Sequence, residues 1–454
     1  MRLPRLASLA PATLLALALT GCIAKVGPDH ADPHLSTPET YSSSAPAPAE
    51  IGPWWRGFGD PTLSGLVEAA LADNLDIAAA GARLAEARAL AAVADAATSP
   101  TLDGSVTAQK STTISGDRDN EPTPLQGAAL ASWVPDLFGG KARASESAAA
   151  ELRRREALTA EARRQVAADV VRRYVETGRD WARLQLVEES LALRQKTLDL
   201  VEQRFAAGLA AQLDVSRARA DLAATRAQRG PLYLSINSSR NALTVLLGGV
   251  EHRGTAAPPR FAGGPDVGLP ADLLRARPDV VAAEANLARA TADIGVAEAR
   301  LYPMLTLPAS LTLGLENLTS GVAIDAFVAA IAGTLDIPIF DGGARRAQVD
   351  AAEARAAEAL LLYRQALLQA IADVQTALVA LASAETRRDD LTAAVAAAEA
   401  AARQAETLYT QGLTGFLDVL DAQRTLLDTR QSLVIAEADI GLAAADLHSA
   451  VGGS

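Results

Sequence analysis

Cysteine, aromatic residues and helix breakers are all scarce in this chain. A single cysteine, Cys22, stands among 454 residues, so no disulfide can close within the chain. Aromatics make up only 4% while hydrophobic residues reach 49%. Alanine supplies much of the difference, and small side chains suit close helix–helix packing better than a thick globular core. Net charge is −12, which argues against nucleic acid as a partner. Beyond the first twenty residues no run of eighteen uninterrupted apolar residues occurs, so a membrane crossing would have to use β-strands. The four histidines, His30, His34, His252 and His448, lie in linkers or near chain ends without metal-ligand spacing. No nucleophile motif or phosphate loop is present, and the reading is that of a non-enzyme needing no cofactor.

The breakers that do occur are grouped. No proline lies between Pro135 and Pro231 or after Pro338. Gly178 is the only glycine between Lys141 and Ala207, and there is none between Ala344 and Gln411. Breaker-free stretches rich in Ala, Leu, Glu, Arg and Gln predict helices. About 65 residues make a rod of roughly 100 Å. Leu184, Leu191, Leu198 and Phe205 recur every seven residues, and Leu186, Leu193 and Leu200 form a second seam. The seams lie about 200° apart around the helix, so this helix should have neighbours on two sides. Leu360, Leu367, Val374 and Leu381, with Ile371 and Leu378 between them, repeat the heptad logic.

The chain repeats itself. Asp76, Leu84 and Pro100 return as Asp279, Leu287 and Pro303, and Pro135, Gly139 and Gly140 return as Pro338, Gly342 and Gly343, each 203 positions later. "GLAAQLDV" from Gly208 returns as "GLTGFLDV" from Gly412, 204 later, as does Gly248-Gly249 at Gly452-Gly453. Such a fixed period marks internal duplication. The expected organisation is a leader over 1–21, an N-terminal segment over 22–60, repeat 1 over 61–249, a Pro/Gly-rich linker over 250–269 and repeat 2 over 270–454. Each repeat should hold two strands, 101–113 with 125–135 and 303–315 with 326–338. Leu305, Leu307, Leu311, Leu313 and Leu315 alternate with Thr306, Ser310 and Thr312, a period of two with one apolar face. Strands of this length fit an outer-membrane barrel, and Trp133 and Tyr302 at strand ends suit an interfacial girdle. A β-hairpin on a soluble core is the other reading of the same pattern. Four membrane strands cannot close a barrel, since about eight is the minimum. In lipid they would need completion by other copies, and three copies give twelve strands.

The leader gives Cys22 a meaning. Arg2 and Arg5 precede an apolar run ending at Leu19-Thr20-Gly21-Cys22, the shape of an export signal. This ending resembles a lipoprotein lipobox, which implies cleavage before Cys22 and covalent lipid on it. Several acyl chains hold a protein to a membrane where one does not. Ile23, rather than Asp, follows the cysteine, which by resemblance to sorted lipoproteins favours the outer membrane.

Together these residues resemble the TolC-like outer membrane factors, in their lipidated NodT-type branch. The resemblance spans Cys22 to Ser454. It rests on "VGPD" after the cysteine, "PWWRGFGDPTLSGLVEAALADNLDI" from Pro53, "GLPADLLRARPDVVAAEANL" from Gly268, "IPIFDGG" from Ile337 and "GLTGFLDVLDAQRTLL" from Gly412. It implies a mainly α fold with membrane β-hairpins. A homotrimer would form a 12-stranded β-barrel continuous with a long periplasmic α-helical barrel, with an equatorial layer from the N-terminal segment, the linker near Pro258 and the C-terminal end. The implied function is a passive conduit for small molecules. The implied partners are a periplasmic adaptor (a membrane fusion protein), an inner-membrane RND-type transporter and outer-membrane lipid. A protein-secretion channel of the same fold and a structural envelope lipoprotein are the alternatives.

The candidate gate is "LDVLDAQR". Asp418 and Asp421 are three apart on one helix face, and three copies would make two rings of carboxylates. The competing reading pairs Asp421 with Arg424 on a solvated face. Repeat 1 has Asp214 where repeat 2 has Asp418, but Arg217 where repeat 2 has Asp421. By resemblance, Asp418 and Asp421 line the periplasmic aperture. Asp214 and Tyr409 match residues that link neighbouring hairpins, through a phenol-to-carboxylate bond. Thr414 replaces a basic residue found in some relatives, so no salt bridge is expected there. Gly208, Leu209, Gly412, Leu413 and Thr414 form the hairpin turns, which in this family meet the adaptor. Exposed Leu209 and Leu413 would be the anchors.

Overall fold

The computed structural model describes residues 25–31, 53–108, 125–252, 277–316 and 323–452. The leader and Cys22, most of the 250–269 linker and the loop ends of the strand pairs fall outside them. The described chain is mainly helical. A 3-10 turn (Trp54–Phe58) leads to α1 (Pro61–Asp73) and α2 (Leu75–Ala96), strands β1 (Thr101–Ala108) and β2 (Leu125–Trp133), then α3 (Gly140–Ala206), α4 (Gln212–Ala227) and α5 (Arg229–Leu246). Repeat 2 follows with α6 (Pro278–Ala299), β3 (Met304–Glu316), β4 (Ala323–Ile331), β5 (Thr334–Asp336), α7 (Ala344–Thr410) and α8 (Phe416–Ala450). The breaker-free stretches are thus the two 67-residue helices α3 and α7.

Two compact units emerge, each drawing on both repeats: residues 1–34, 84–155 and 282–363, and residues 35–83, 156–281 and 364–454. The first unit holds the sheet. All neighbours are antiparallel in the order β1-β2-β3-β4, with β5 beside the start of β3. Paired residues share a face, so the ladder sorts the side chains. One face carries Thr101, Asp103, Ser105, Thr107, Ser132, Thr306, Ser310, Thr312, Thr334 and Asp336. The other carries Leu102, Val106, Ala129, Ala131, Trp133, Leu305, Leu307, Leu311, Leu313, Phe327, Ile331 and Leu335. Leu130, Met304 and Val328 also lie on the first face, so the period of two expected for β3 extends to β1 and β5, weakens in β2 and is lost in β4.

The last strand differs from expectation. Instead of one strand over 326–338, the chain pairs as β4 and β5 with a gap at Ala332 and Gly333. Both flanks keep one register against β3, since Ala309 faces Ile331 and Thr306 faces Thr334. Pro308 faces the gap. Its carbonyl accepts from Ala332 N at 2.9 Å, but proline has no N–H to return the bond. At the other end of β3 a register shift falls between Gly314 and Leu315, the signature of a bulge.

The second unit is built on an aromatic and aliphatic core. Trp54, Trp55, Phe58, Leu63 and Val67 pack with Val170, Val171, Tyr174 and Val175 of α3, Leu243 of α5 and Ala438 and Ala445 of α8. Asp60 caps α1 by accepting from Thr62 N (2.8 Å) and Leu63 N (3.2 Å), and Tyr174 donates to its other oxygen at 2.6 Å. Burial and that carboxylate push the Tyr174 phenol above its usual range. The duplication is visible in detail. Asn74 donates to Leu246 O at 3.0 Å, ending α5. Its counterpart 203 positions on, Arg277, donates to Ala450 O at 3.0 Å, ending α8. The leucine seams hold in part, since Phe205 at the end of the first seam is exposed. Leu184 and Leu198 are buried while Leu186, Leu193 and Leu200 are only half-covered, and Leu367, Val374 and Leu381 are buried. Helix α7 does contain an eighteen-residue window of mean hydropathy 1.5, enough by composition to cross a membrane. The average is high although no apolar run is unbroken.

Candidate functional site

The two long helices end alike. Gly208 (φ 71°) and Gly412 (φ 76°) adopt the left-handed conformation. Leu209 N donates to Arg204 O at 2.8 Å and Gly208 N to Phe205 O at 2.9 Å. Leu413 N donates to Leu408 O at 2.9 Å and Gly412 N to Tyr409 O at 3.0 Å. These are two Schellman caps. Neither glycine has an atom within 4 Å of where a Cβ would stand, so the backbone angle alone demands glycine. Leu209 and Leu413 are 69% and 71% exposed, although a turn has no use for an exposed leucine. The reading of the sequence missed two more, Leu213 and Leu417, also exposed. Their signal was the same 204-residue spacing.

The expected gate residues come together at these tips. Asp418 is the third residue of α8, and its carboxylate accepts from Gly415 N at 3.2 Å and from the Thr414 hydroxyl. Thr414 thus serves the helix cap. Asp421 is exposed one turn further on. The Asp421–Arg424 pair of the competing reading is not made among the described residues. Arg424 Nε donates instead to Asp221 at 2.7 Å, because that acid is buried and a buried carboxylate gains more from a cation than an exposed one does. In repeat 1, Arg217 lies 3.8 Å from Asp214 on the same face of α4.

Tyr409 departs from expectation. Its ring is buried against Phe416, centroids 5.6 Å apart, in a cluster with Leu198, Val201, Val215, Leu222, Val419 and Leu420. Its buried hydroxyl has no hydrogen-bond partner among the described residues, so the bond to Asp214 is not made here. Asp214 turns to Arg217 instead, and Tyr409 is held by Arg204. That guanidinium lies 4.7 Å over the ring and donates to the carbonyls of Tyr409 (2.9 Å) and Thr410 (3.4 Å) at the end of α7. Burial raises the Tyr409 phenol pKa; Arg204 opposes the rise and Asp214 adds to it.

Further along the hairpins lies a buried polar cluster. Asp221 on α4 forms ion pairs with Arg194 on α3 and Arg424 on α8, while Gln423 donates to Thr197 Oγ1 at 3.1 Å. Arg194, Thr197, Asp221 and Gln423 are all buried. Sequence reasoning missed Arg204 and Asp221, whose partners in repeat 2 lie some two hundred residues away, and Arg194, which pairs with Asp221 within repeat 1.

The lipidation candidate Cys22 lies outside the described residues. The chain nearby is anchored: Val26 N donates to Phe138 O at 3.2 Å, and Arg143 donates to Val26 O and Gly27 O at 3.0 and 2.7 Å. Among the described residues no group of His, Cys, Asp or Glu is arranged to hold a metal ion.

Residues 66–249 and 269–453 each match the model of the family described as outer membrane efflux protein. Nodulation protein T of Rhizobium leguminosarum bv. trifolii is 33% identical over 451 residues, 96% of this chain and 95% of that protein. Among solved structures, CusC, described in terms of folding and transmembrane channel formation, matches with a TM-score of 0.86 at 27% identity, covering 95% of this chain and 100% of that chain. The outer-membrane channel OprN matches with a TM-score of 0.84 at 30% identity, covering 95% and 99%.

Proposed function

The chain belongs to the outer membrane efflux protein family, and we propose that three copies of it form the passive conduit of a tripartite efflux system. The family and fold are those of outer-membrane channels. The observation that carries the three-copy reading is the sheet. It has one wholly apolar face and one face rich in Thr, Ser and Asp, and among the described residues its edge strands β1 and β4 each lack a neighbour on one side. An open edge in lipid leaves backbone groups unpaired at several kcal/mol each, and four strands are about half the number a barrel needs. Three copies make twelve strands with the apolar face to lipid and the threonines and serines to the lumen.

The helical hairpins continue the conduit as an α-barrel. Asp418 and Asp421 of three copies form two carboxylate rings at its aperture. Such rings repel anions and concentrate cations. Arg217 cancels Asp214 in repeat 1, so the field comes from repeat 2. Leu209, Leu213, Leu413 and Leu417 present apolar anchors to a periplasmic adaptor, and an inner-membrane RND-type transporter supplies the energy. Lipid on Cys22 adds a membrane anchor. The cargo is a small molecule: a drug, another toxic compound or a metal ion.

Single-channel conductance in planar bilayers tests this reading. The wild type should pass a small, cation-selective current, and Asp418→Ala/Asp421→Ala should enlarge it and remove the selectivity. Equal currents would keep the conduit and discard these gate residues. No current from either protein, with a monomeric mass, would discard the channel.

A further inference from the structure

A cavity of about 670 Å³ lies in the first unit, where the sheet gives way to helices. Its walls come from three stretches: 134–141 between β2 and α3, 299–304 between α6 and β3, and 336–348 from β5 into α7. Each contains a proline, Pro135, Pro303 or Pro338. Proline lacks the N–H that a strand ladder or a helix would use. The chain therefore leaves the sheet before helical packing begins, and a gap remains between the two. The apolar wall of the gap is the stacked pair Phe138 and Tyr302, centroids 4.6 Å apart, with Met304, Ile337 and Pro338. The volume is that of a site for a drug-sized molecule.

Five charged side chains line the cavity, and three of them are already engaged. Lys141 Nζ donates to Ala97 O at 2.6 Å. Asp136 accepts from Ala142 N at 2.8 Å, at the start of α3. Arg345 pairs with Asp341 at 3.4 Å. The other two are Arg300 and Asp336. Among the described residues the Arg300 guanidinium makes one hydrogen bond, a long one of 3.5 Å to Gln348 Oε1. The Asp336 carboxylate makes none among them, and the two do not pair with each other. Both residues are exposed. One uncommitted cation and one uncommitted anion thus share a cavity with an aromatic wall.

We infer that this cavity binds zwitterionic aromatic molecules, with the ring against Phe138 and Tyr302, the acid group toward Arg300 and the basic group toward Asp336. A ligand with an acid group alone brings a like charge beside Asp336, and one with a basic group alone brings a like charge beside Arg300. A zwitterion satisfies both. Met304 and Asp336 pair across β3 and β5 and stand on the face of the sheet that carries the threonines and serines. Under the three-copy reading that face lines the lumen, so the cavity is a station on the path of the cargo. Its place on that path rests on the three-copy reading; its existence does not, because one chain forms it. Binding there must be weak enough for the cargo to leave again.

Three indoles of different charge test the inference on the full-length protein in detergent, by equilibrium dialysis against the same micelles without protein. L-Tryptophan is zwitterionic, indole-3-propionate carries only the acid and tryptamine only the base. Tryptophan should bind roughly tenfold tighter than either. Arg300→Gln should weaken tryptophan by about that factor without weakening tryptamine, and Asp336→Asn should do so without weakening indole-3-propionate. Mass by light scattering is measured on the same samples. Coupling a bulky polymer maleimide to Met304→Cys should lower the single-channel current, with the wild type as the control for Cys22, the only native cysteine. This pattern of affinities with a lowered current supports the inference. No binding, equal binding of the three indoles, or a uniform loss of all three in either variant overturns it and leaves the conduit standing. The pattern with an unchanged current after coupling overturns the lumenal placement. The pattern with a monomeric mass and no current overturns the three-copy reading and leaves the site.

Discussion

The two hairpin tips are built from the same eight-residue phrase and are not chemically alike. Repeat 2 carries Asp418 and Asp421 on a helix that runs unbroken from Phe416 to Ala450. Repeat 1 carries Asp214 neutralised by Arg217, on a helix broken at Gln228 ahead of Pro231, whose missing N–H interrupts the helical ladder. Repeat 1 instead supplies groups that hold its partner. Arg204 ties down the end of α7, and the buried Asp221 joins Arg194 of its own repeat to Arg424 of repeat 2. One hairpin thus carries the acid pair and the other carries groups that mount it.

The largest effect should come from breaking the mount. Asp221 is buried between two arginines. Asp221→Ala leaves Arg194 buried without a counter-ion, a loss of about 3–5 kcal/mol, read as a lowered thermal unfolding midpoint. Arg194→Leu/Asp221→Leu should recover most of it, because neither charge is then buried. If the double variant is as unstable as the single one, the cluster acts through packing and the division of labour between the hairpins loses its electrostatic basis.

Acid should find a second asymmetry. His448 on α8 stacks on Trp54, centroids 5.1 Å apart, where repeat 1 has Thr244, which donates to Arg240 O at 3.1 Å. Burial holds the His448 pKa down at about 4. A depressed histidine pKa means that the unfolded chain binds the proton first. Stability from this site is therefore complete above about pH 6.5 and is lost as pH falls toward 4, by up to roughly 3 kcal/mol. His448→Phe should flatten the fall in unfolding midpoint between pH 7 and pH 4.5. An unchanged slope would assign the acid sensitivity to other groups.

Much of this was legible from residue types alone. Long breaker-free runs gave α3 and α7, alternation gave β3, and the paired glycines located both tips to the residue. Three features were not. The interruption between β4 and β5 depends on Pro308 in the neighbouring strand. The partners of Arg204 and Asp221 depend on helix packing between residues about two hundred apart, where local pattern carries no information. Tyr409 and Asp214 were matched by resemblance to residues that link neighbouring hairpins, yet within the chain Arg204 packs on the tyrosine ring and Asp214 pairs with Arg217.

The smallest expected change addresses the comparison most directly. If the tips differ in field only because Arg217 cancels Asp214, then Arg217→Asp makes repeat 1 an acid pair like repeat 2. The side chain is exposed and its ion pair with Asp214 is long, 3.8 Å, so stability should change by less than about 1 kcal/mol. Selectivity should change more than stability. With Asp214 released and a new carboxylate one turn away, cation preference in planar bilayers should rise. The rise should be greatest at low salt, where charges about 10 Å apart still act on one another. Asp418→Ala/Asp421→Ala in the same background should then retain part of the selectivity that it loses in the wild type. If Arg217→Asp leaves the preference unchanged, the repeat 1 tip lies away from the ion path, and the asymmetry between the hairpins is one of position as well as charge.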